Sequence, residues 1–133
     1  MTPEGLDALL KENPAKVVAF GLPFDHNSSF MKGASLAPWE IQKMLFHEAG
    51  NPFSEGGFDL TDKRLFLHGG ALSAESKNPM KDIEFIGKIM AENGRKPIFI
   101  GGDHSITFPA LKGLAPHFKE LAILHIDAHP DLY

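Results

Sequence analysis

The feature that most constrains the fold is an alternation of short apolar runs with segments of helical periodicity. The runs are typical of buried strands and lie at residues 17–20, 64–67, 97–100 and 121–126. The intervening segments repeat apolar residues at helical spacing, at 6–12, 37–47, 79–93 and 106–114. Because parallel strands need long, usually helical crossovers, this alternation predicts an α/β fold: a three-layer αβα sandwich with a mostly parallel sheet.

Composition narrows the class of protein. The 133 residues fit a single domain, and 43% hydrophobic content is enough for a real core. A net charge of −4 with scattered basic residues disfavours nucleic acid as a partner. The chain has no cysteine, no signal-peptide pattern and no apolar run long enough to span a membrane. We therefore expect a cytoplasmic protein in which any metal is bound by histidine and carboxylate side chains.

Four potential metal ligands lie close together at the end of the fourth apolar run. His125, Asp127, His129 and Asp131 alternate along the chain, so in an extended conformation they could share one face. Imidazole and carboxylate groups suit Mn²⁺, Zn²⁺ or Fe²⁺, and a carboxylate can bridge two ions. Asp127, in the middle of the group, is the candidate bridge.

A second turn carries another candidate ligand. Gly-Gly-Asp-His-Ser (101–105) follows the third run, and its glycines permit a tight turn that places His104 at the sheet edge. Asp103 or Ser105 could cap the helix that follows. Phosphate binding at this turn is disfavoured, because the pattern is not that of a P-loop and Asp103 would repel an anion. Both turns end parallel strands, so we expect their ligands to converge.

These motifs resemble those of the ureohydrolase family of arginases and agmatinases, nearer the agmatinase-like members. Gly-Gly-Asp-His-Ser (101–105) is similar to the family's first metal motif, and Asp-Ala-His-Pro-Asp (127–131) to its second. Gly-Leu-Pro-Phe-Asp (21–25), Gly33 and the Ala-Pro pair at 37–38 resemble an early family segment. The resemblance implies an arginase-like fold and a small linear guanidino or amidine substrate.

The resemblance also implies roles for individual residues. His104 and Asp131 would bind one Mn²⁺, His129 a second, and Asp127 would bridge both. Two cations beside one water lower its pKa enough to supply hydroxide near neutral pH, which would attack the guanidinium carbon and release urea. Asp131 would also orient that hydroxide, so Asp127 and Asp131 are the candidate catalytic residues.

The family's third motif, of the Ser-x-Asp-x-Asp type, does not occur in these residues. We therefore expect residues 1–133 to be a single N-terminal portion of an arginase-type domain, with a truncated sheet. A complete site takes two Mn²⁺, whereas this chain alone is expected to bind one or none and to be inactive. The fourth run would leave an unpaired sheet edge, which favours a homo-oligomer or a complementing second chain.

Several alternatives stay open. The chain could be a non-catalytic metal-binding or interaction subunit of the same ancestry, and single-zinc deacetylases of similar fold rank behind both. For Asp25, loop capping or solvation is favoured over catalysis, and Phe53 and Phe58 could mark an oligomer contact. We expect His125 to pack on its strand or support the ligands without binding the ion. Ordinary surface or core roles are assigned to the remaining histidines, His26, His47, His68 and His117.

Overall fold

A computed structural model describes residues 1–45, 47 and 50–129. Four α-helices are present: α1 (Pro3–Glu12), α2 (Ala37–Leu45), α3 (Pro79–Glu92) and α4 (Thr107–Leu114). Three strands are present: β1 (Val17–Leu22), β2 (Phe66–Ala71) and β3 (Lys96–Gly101). Short 3-10 helices at Ala34–Leu36 and His104–Ile106 precede α2 and α4, and a third, Ala115–His117, follows α4. The four predicted helices are therefore confirmed within a few residues of their expected bounds.

The sheet is parallel, with the strand order β2-β1-β3. Val17 begins both ladders, paired with Phe66 on one side and Lys96 on the other. The β2 strand was predicted at residues 64–67 but is observed at Phe66–Ala71. It extends beyond the predicted end because it continues through the glycine pair at 69–70. Gly70 has a φ of 82°, a conformation that glycine adopts without strain, and the β1–β2 register shifts there.

Helices cover the two faces of the sheet. On one face, Val18, Phe20 and Leu22 belong to a single buried cluster with Leu6 of α1 and Ile83 of α3. That cluster also contains the following buried residues: Leu10, Ile86, Ile89 and Met90. Alternate strand residues face the opposite side. A Cβ built on Gly21 would lie only 2.8 Å from the Cβ of Pro38, so α2 lies on that second face. The predicted layering of helix, sheet and helix is thus observed.

Helices α3 and α4 pack in direct backbone contact at two glycines. A Cβ on Gly87 would lie 2.5 Å from the Ala110 carbonyl oxygen, and one on Gly113 would lie 1.9 Å from the Glu84 carbonyl oxygen. Lys112 Nζ also pairs with Glu84 Oε2 at 2.8 Å. This close approach fixes α4, and with it the turn that precedes α4.

The fourth predicted strand is not formed. Residues 121–127 have no strand or bridge pairing in the structure, and the side chains of Leu124 and Ile126 are 86% and 87% exposed. The apolar run has strand composition, but strand propensity is expressed only when a segment pairs with a sheet edge and is covered. The prediction from composition was wrong here because the described residues do not provide that pairing. Within the described residues, no helix is long and apolar enough to cross a membrane.

Candidate metal centre

The turn that carries His104 is built from close backbone contacts at the end of β3. A Cβ on Gly102 would lie 1.9 Å from the carbonyl oxygen of Phe24, so only glycine fits there. The backbone N–H of Asp103 donates to that same oxygen at 2.8 Å. The Asp103 carboxylate then accepts the backbone N–H of Ser105 at 3.0 Å and caps the 3-10 helix that begins at His104. The capping role predicted for Asp103 is confirmed.

The loop after β1, residues 23–33, is organised around Asp25. The Asp25 carboxylate is buried and accepts hydrogen bonds from the backbone N–H of Gly33 at 2.7 Å and of Ser35 at 3.2 Å. The Ser35 hydroxyl donates a third hydrogen bond at 2.9 Å. These donors, the Gly33 N–H foremost, lower the pKa of Asp25 below its usual value. Asp25 therefore caps its loop, as its sequence context predicted.

The loop after β1 and the turn of His104 are joined by side-chain hydrogen bonds. The backbone N–H of Asn27 donates to Asp103 Oδ2 at 2.9 Å, and its side-chain amide donates to Ser105 Oγ at 3.1 Å. Asp103 thus accepts hydrogen bonds from both segments at once. This link was not predicted, because the sequence carries no signal that pairs residues 76 positions apart.

Two of the predicted ligands, His104 and Asp127, come together with a third group, His125. One ligand atom from each of the three lies within 4.8 Å of the others, and all three residues are exposed. The rings of His104 and His125 are 5.0 Å apart between centroids. His125 Nε2 lies 3.6 Å from Asp127 Oδ2. The structure therefore places His125 in position to coordinate an ion, although the sequence had assigned it a packing or supporting role.

His129 lies on the other side of the Asp127 carboxylate. Its Nδ1 is 3.4 Å from Asp127 Oδ1, and its backbone N–H donates to the same oxygen at 2.9 Å. That backbone hydrogen bond is the main cause of a lowered pKa at Asp127, to which the side chain of His125 also contributes. Asp127 is therefore an anion at neutral pH. Asp131, the remaining predicted ligand, lies outside the described residues.

The donor set suits a divalent cation of intermediate hardness. Two imidazoles and a carboxylate are ligands that Mn²⁺, Zn²⁺ and Fe²⁺ accept. His104 Nδ1 lies 3.1 Å from Thr107 Oγ1. In the tautomer in which Nδ1 carries the hydrogen, that hydrogen is donated to Thr107 and the lone pair on Nε2 points to an ion. Thr107 was missed from the sequence, although its position three residues after His104 on a helical turn is a usable signal.

Other histidines have ordinary surroundings. His68 is half-buried on β2, where its Nδ1 accepts the Gly70 N–H at 3.2 Å and burial lowers its pKa. The ring of His26 stacks on Phe24 with centroids 5.1 Å apart. These contacts agree with the roles expected from the sequence. The oligomer contact expected at Phe53 and Phe58 stays a prediction; both side chains are exposed.

Comparison with known sequences extends these observations. The sequence model of the arginase family matches residues 15–133. Arginase 2, chloroplastic/mitochondrial, from Arabidopsis thaliana is 33% identical over 90% of this chain and 38% of its own length. Agmatinase from Bacillus subtilis is 29% identical over 89% of this chain and 41% of its own length. The chain therefore spans about two fifths of the relatives that it matches, and these relatives include both arginases and agmatinases.

Comparison with solved structures leads to the same family. An arginase from Medicago truncatula superposes with a TM-score of 0.81 at 29% identity, covering 98% of this chain and 46% of that one. A putative agmatinase from Clostridium difficile gives a TM-score of 0.78 at 28% identity, covering 92% and 44%. The fold, the two sequence motifs and the matched residues lead to one assignment. This chain belongs to the arginase family.

Proposed function

We propose that this chain provides part of the manganese site of a hydrolase that cleaves a C–N bond in a small linear guanidino or amidine substrate. The proposal rests on the proximity of His104 and Asp127, which are 23 residues apart in the sequence. One ligand atom of His104 lies within 4.8 Å of one ligand atom of Asp127. Membership of the arginase family supports the reaction class. Residues 1–133 would then form the N-terminal portion of the catalytic domain.

Each predicted ligand has a role in this proposal. His104 and Asp131 would hold one ion, His129 the second, and Asp127 both. The position of Asp127 supports its bridging role, because its carboxylate lies within 4.8 Å of His104, which would hold one ion, and 3.4 Å from His129, which would hold the other. The lowered pKa of Asp127 also keeps it anionic and able to bind cations at neutral pH. The role of Asp131 rests on the motif alone.

His104, Asp127, His129 and Asp131 would hold Mn²⁺, which when bound would lower the pKa of a water enough for it to act as a nucleophile near neutral pH. The Asp131 carboxylate would orient this water by accepting a hydrogen bond from it. Water adds to the guanidinium or amidine carbon, the C–N bond breaks, and a proton is transferred to the departing nitrogen. A guanidino substrate thereby yields urea and an amine, and formiminoglutamate yields formamide and glutamate.

Because residues 1–133 lack the third metal motif, the test uses a reconstituted enzyme, in which this chain is combined with the portion of the catalytic domain that supplies that motif, and compares its variants in the presence of Mn²⁺. Urea release from agmatine, arginine and guanidinobutyrate, and formamide release from formiminoglutamate, would be measured. We expect His129→Ala to lower the rate by at least about a hundredfold, since a metal ligand is removed. The matched control is His117→Ala, a histidine beyond the end of α4 and outside the ligand group, which should leave the rate unchanged.

The same experiment separates the alternative, a non-catalytic metal-binding or interaction subunit. Such a subunit would bind Mn²⁺, as measured by metal analysis, yet release no urea or formamide from any of the four substrates. An active protein whose rate is insensitive to His129→Ala would contradict the proposed ligand set.

A further inference from the structure

We propose that Phe30 and Met31 determine substrate specificity by packing against the hydrocarbon stem of the substrate beside the metal centre. The inference rests on the proposed function and deepens it. Both residues lie in the loop after β1, residues 23–33, and neither belongs to the metal motifs.

Both side chains are apolar and open to solvent. Phe30 is 91% exposed and Met31 is 68% exposed. Together with His104 they line an open groove of about 330 Å³. Isolated apolar residues on a surface need no explanation, but two adjacent ones in the same groove as a candidate metal ligand form a continuous surface with it. A molecule that approached His104 through this groove would contact these side chains.

Hydrogen bonds join the residues before Phe30 and Met31 to the residues after them. Lys32 Nζ donates to the carbonyl oxygens of Asp25 at 2.7 Å and His26 at 2.6 Å. The next residue, Gly33, donates its backbone N–H to the buried Asp25 carboxylate at 2.7 Å. Phe30 and Met31 are thus presented by a closed loop whose internal hydrogen bonds limit its motion.

The loop is also fixed relative to His104. Asn27 donates its backbone N–H to Asp103 and its side-chain amide to Ser105, the two residues that flank His104. The distance between the apolar side chains and the metal ligand is therefore set by direct hydrogen bonds. Specificity needs this fixed geometry, because a stem of given length reaches both surfaces only if their separation is constant.

The chemistry of the groove suits a cation with an apolar stem. Among the described residues that line the groove, the one with a formal charge is Asp103, which is acidic, so these residues offer no lysine or arginine to an anion. Its volume lies near the lower end of the range for small-molecule sites, which matches a stem of a few carbon atoms. The occupant we infer is the alkyl portion of a linear guanidinium compound.

The test uses a series of alkylguanidines, from methylguanidine to butylguanidine, titrated calorimetrically into the same reconstituted enzyme, loaded with Mn²⁺. In the unaltered protein we expect affinity to rise about two- to fourfold for each added methylene. The variants Phe30→Ser and Met31→Ser should each flatten this dependence, while the affinity for methylguanidine and for Mn²⁺ stays within about twofold. Met44→Ser is the matched control, because Met44 is also 68% exposed but lies on α2. It should keep the full dependence.

Binding is measured without turnover, so the inference and the proposed function fail separately. Absence of urea or formamide release would refute the proposed function, while the chain-length dependence would still decide the inference. The inference is overturned if alkylguanidines do not bind, or if both serine variants keep the full dependence. A change in oligomeric state without a change in that dependence would identify Phe30 and Met31 as a protein interface and would also overturn it.

Discussion

Asp103 and Asn27 connect the turn of the candidate metal centre to the loop after β1, through a hydrogen bond of 2.9 Å from the Asn27 N–H to Asp103 Oδ2. The other oxygen of Asp103 caps the 3-10 helix by accepting the Ser105 N–H. One carboxylate therefore determines both the local conformation at His104 and the position of the neighbouring loop. Its removal should affect folding stability and metal binding together.

We expect Asp103→Ala to lower the free energy of unfolding by about 2–3 kcal/mol, because a helix cap and a long-range hydrogen bond are lost together. Mn²⁺ affinity should fall about tenfold as His104 loses its fixed position. Urea denaturation and Mn²⁺ titration measure the two effects. The control is Asp59→Ala, whose Oδ1 accepts hydrogen bonds only within its own turn, from Thr61. An effect no larger than that of the control would contradict the prediction.

Thr107 should influence the metal centre through the orientation of the His104 ring. Thr107→Val removes the hydroxyl that lies 3.1 Å from His104 Nδ1 but preserves the shape of the side chain. We expect Mn²⁺ affinity to fall about tenfold, with little change in thermal stability. Thr61→Val, which removes a hydroxyl from a remote turn, is the matched control. Equal affinities in the two variants would show that Thr107 does not orient the ligand.

The contact between α3 and α4 should tolerate no side chain at Gly113. Gly113→Ala would place a Cβ 1.9 Å from the Glu84 carbonyl oxygen, so the helices must separate. We expect a loss of about 1–3 kcal/mol or more in the free energy of unfolding, measured by chemical denaturation.

Gly5→Ala provides the opposite control, since a Cβ there would have only ordinary contacts, the closest at 3.4 Å from Met1 Cγ. Alanine in α1 should add about 0.5–1 kcal/mol to the free energy of unfolding through helix propensity. Equal destabilisation by both substitutions would show that the helix contact is not responsible.

Asp25 should make folding stability depend on pH in the acid range. Hydrogen bonds from Gly33 and Ser35 hold the pKa of Asp25 below its usual value in the folded protein. The ionised carboxylate therefore stabilises the fold above the unfolded-state pKa, and this contribution is lost as pH falls through the lower folded-state pKa. The stability difference between the protein and its Asp25→Asn variant should be largest near neutral pH and shrink below about pH 4. Urea denaturation at pH 7, 4 and 3 measures it, and a constant difference would contradict the prediction.

Much of the fold followed from local sequence signals. Helix α3 was placed by apolar residues at helical spacing over 79–93, a pattern that acts within a few turns. Strands β1 and β3 were placed by apolar runs that end in glycine-containing turns. His104 and Asp127 were predicted as ligands from their motifs, and the structure brings them together although the strand expected before Asp127 is not formed.

The remaining features depended on contacts between distant residues. Strand β2 continues through Gly70 because its partner, β1, accommodates the shifted register. Residues 121–127 have strand composition but form no ladder. Whether a segment pairs and becomes buried depends on the strands and helices that lie beside it, and its own composition does not show this. His125 joins His104 for the same reason: ring contacts across 21 positions arise from chain packing. The periodicity of apolar residues and the metal motifs involve residues close together in the chain, so the sequence alone determined the helices and the candidate ligands. The strand register, the strand pairing and the grouping of His125 with His104 and Asp127 depend on contacts between distant residues, so only the tertiary structure decided them.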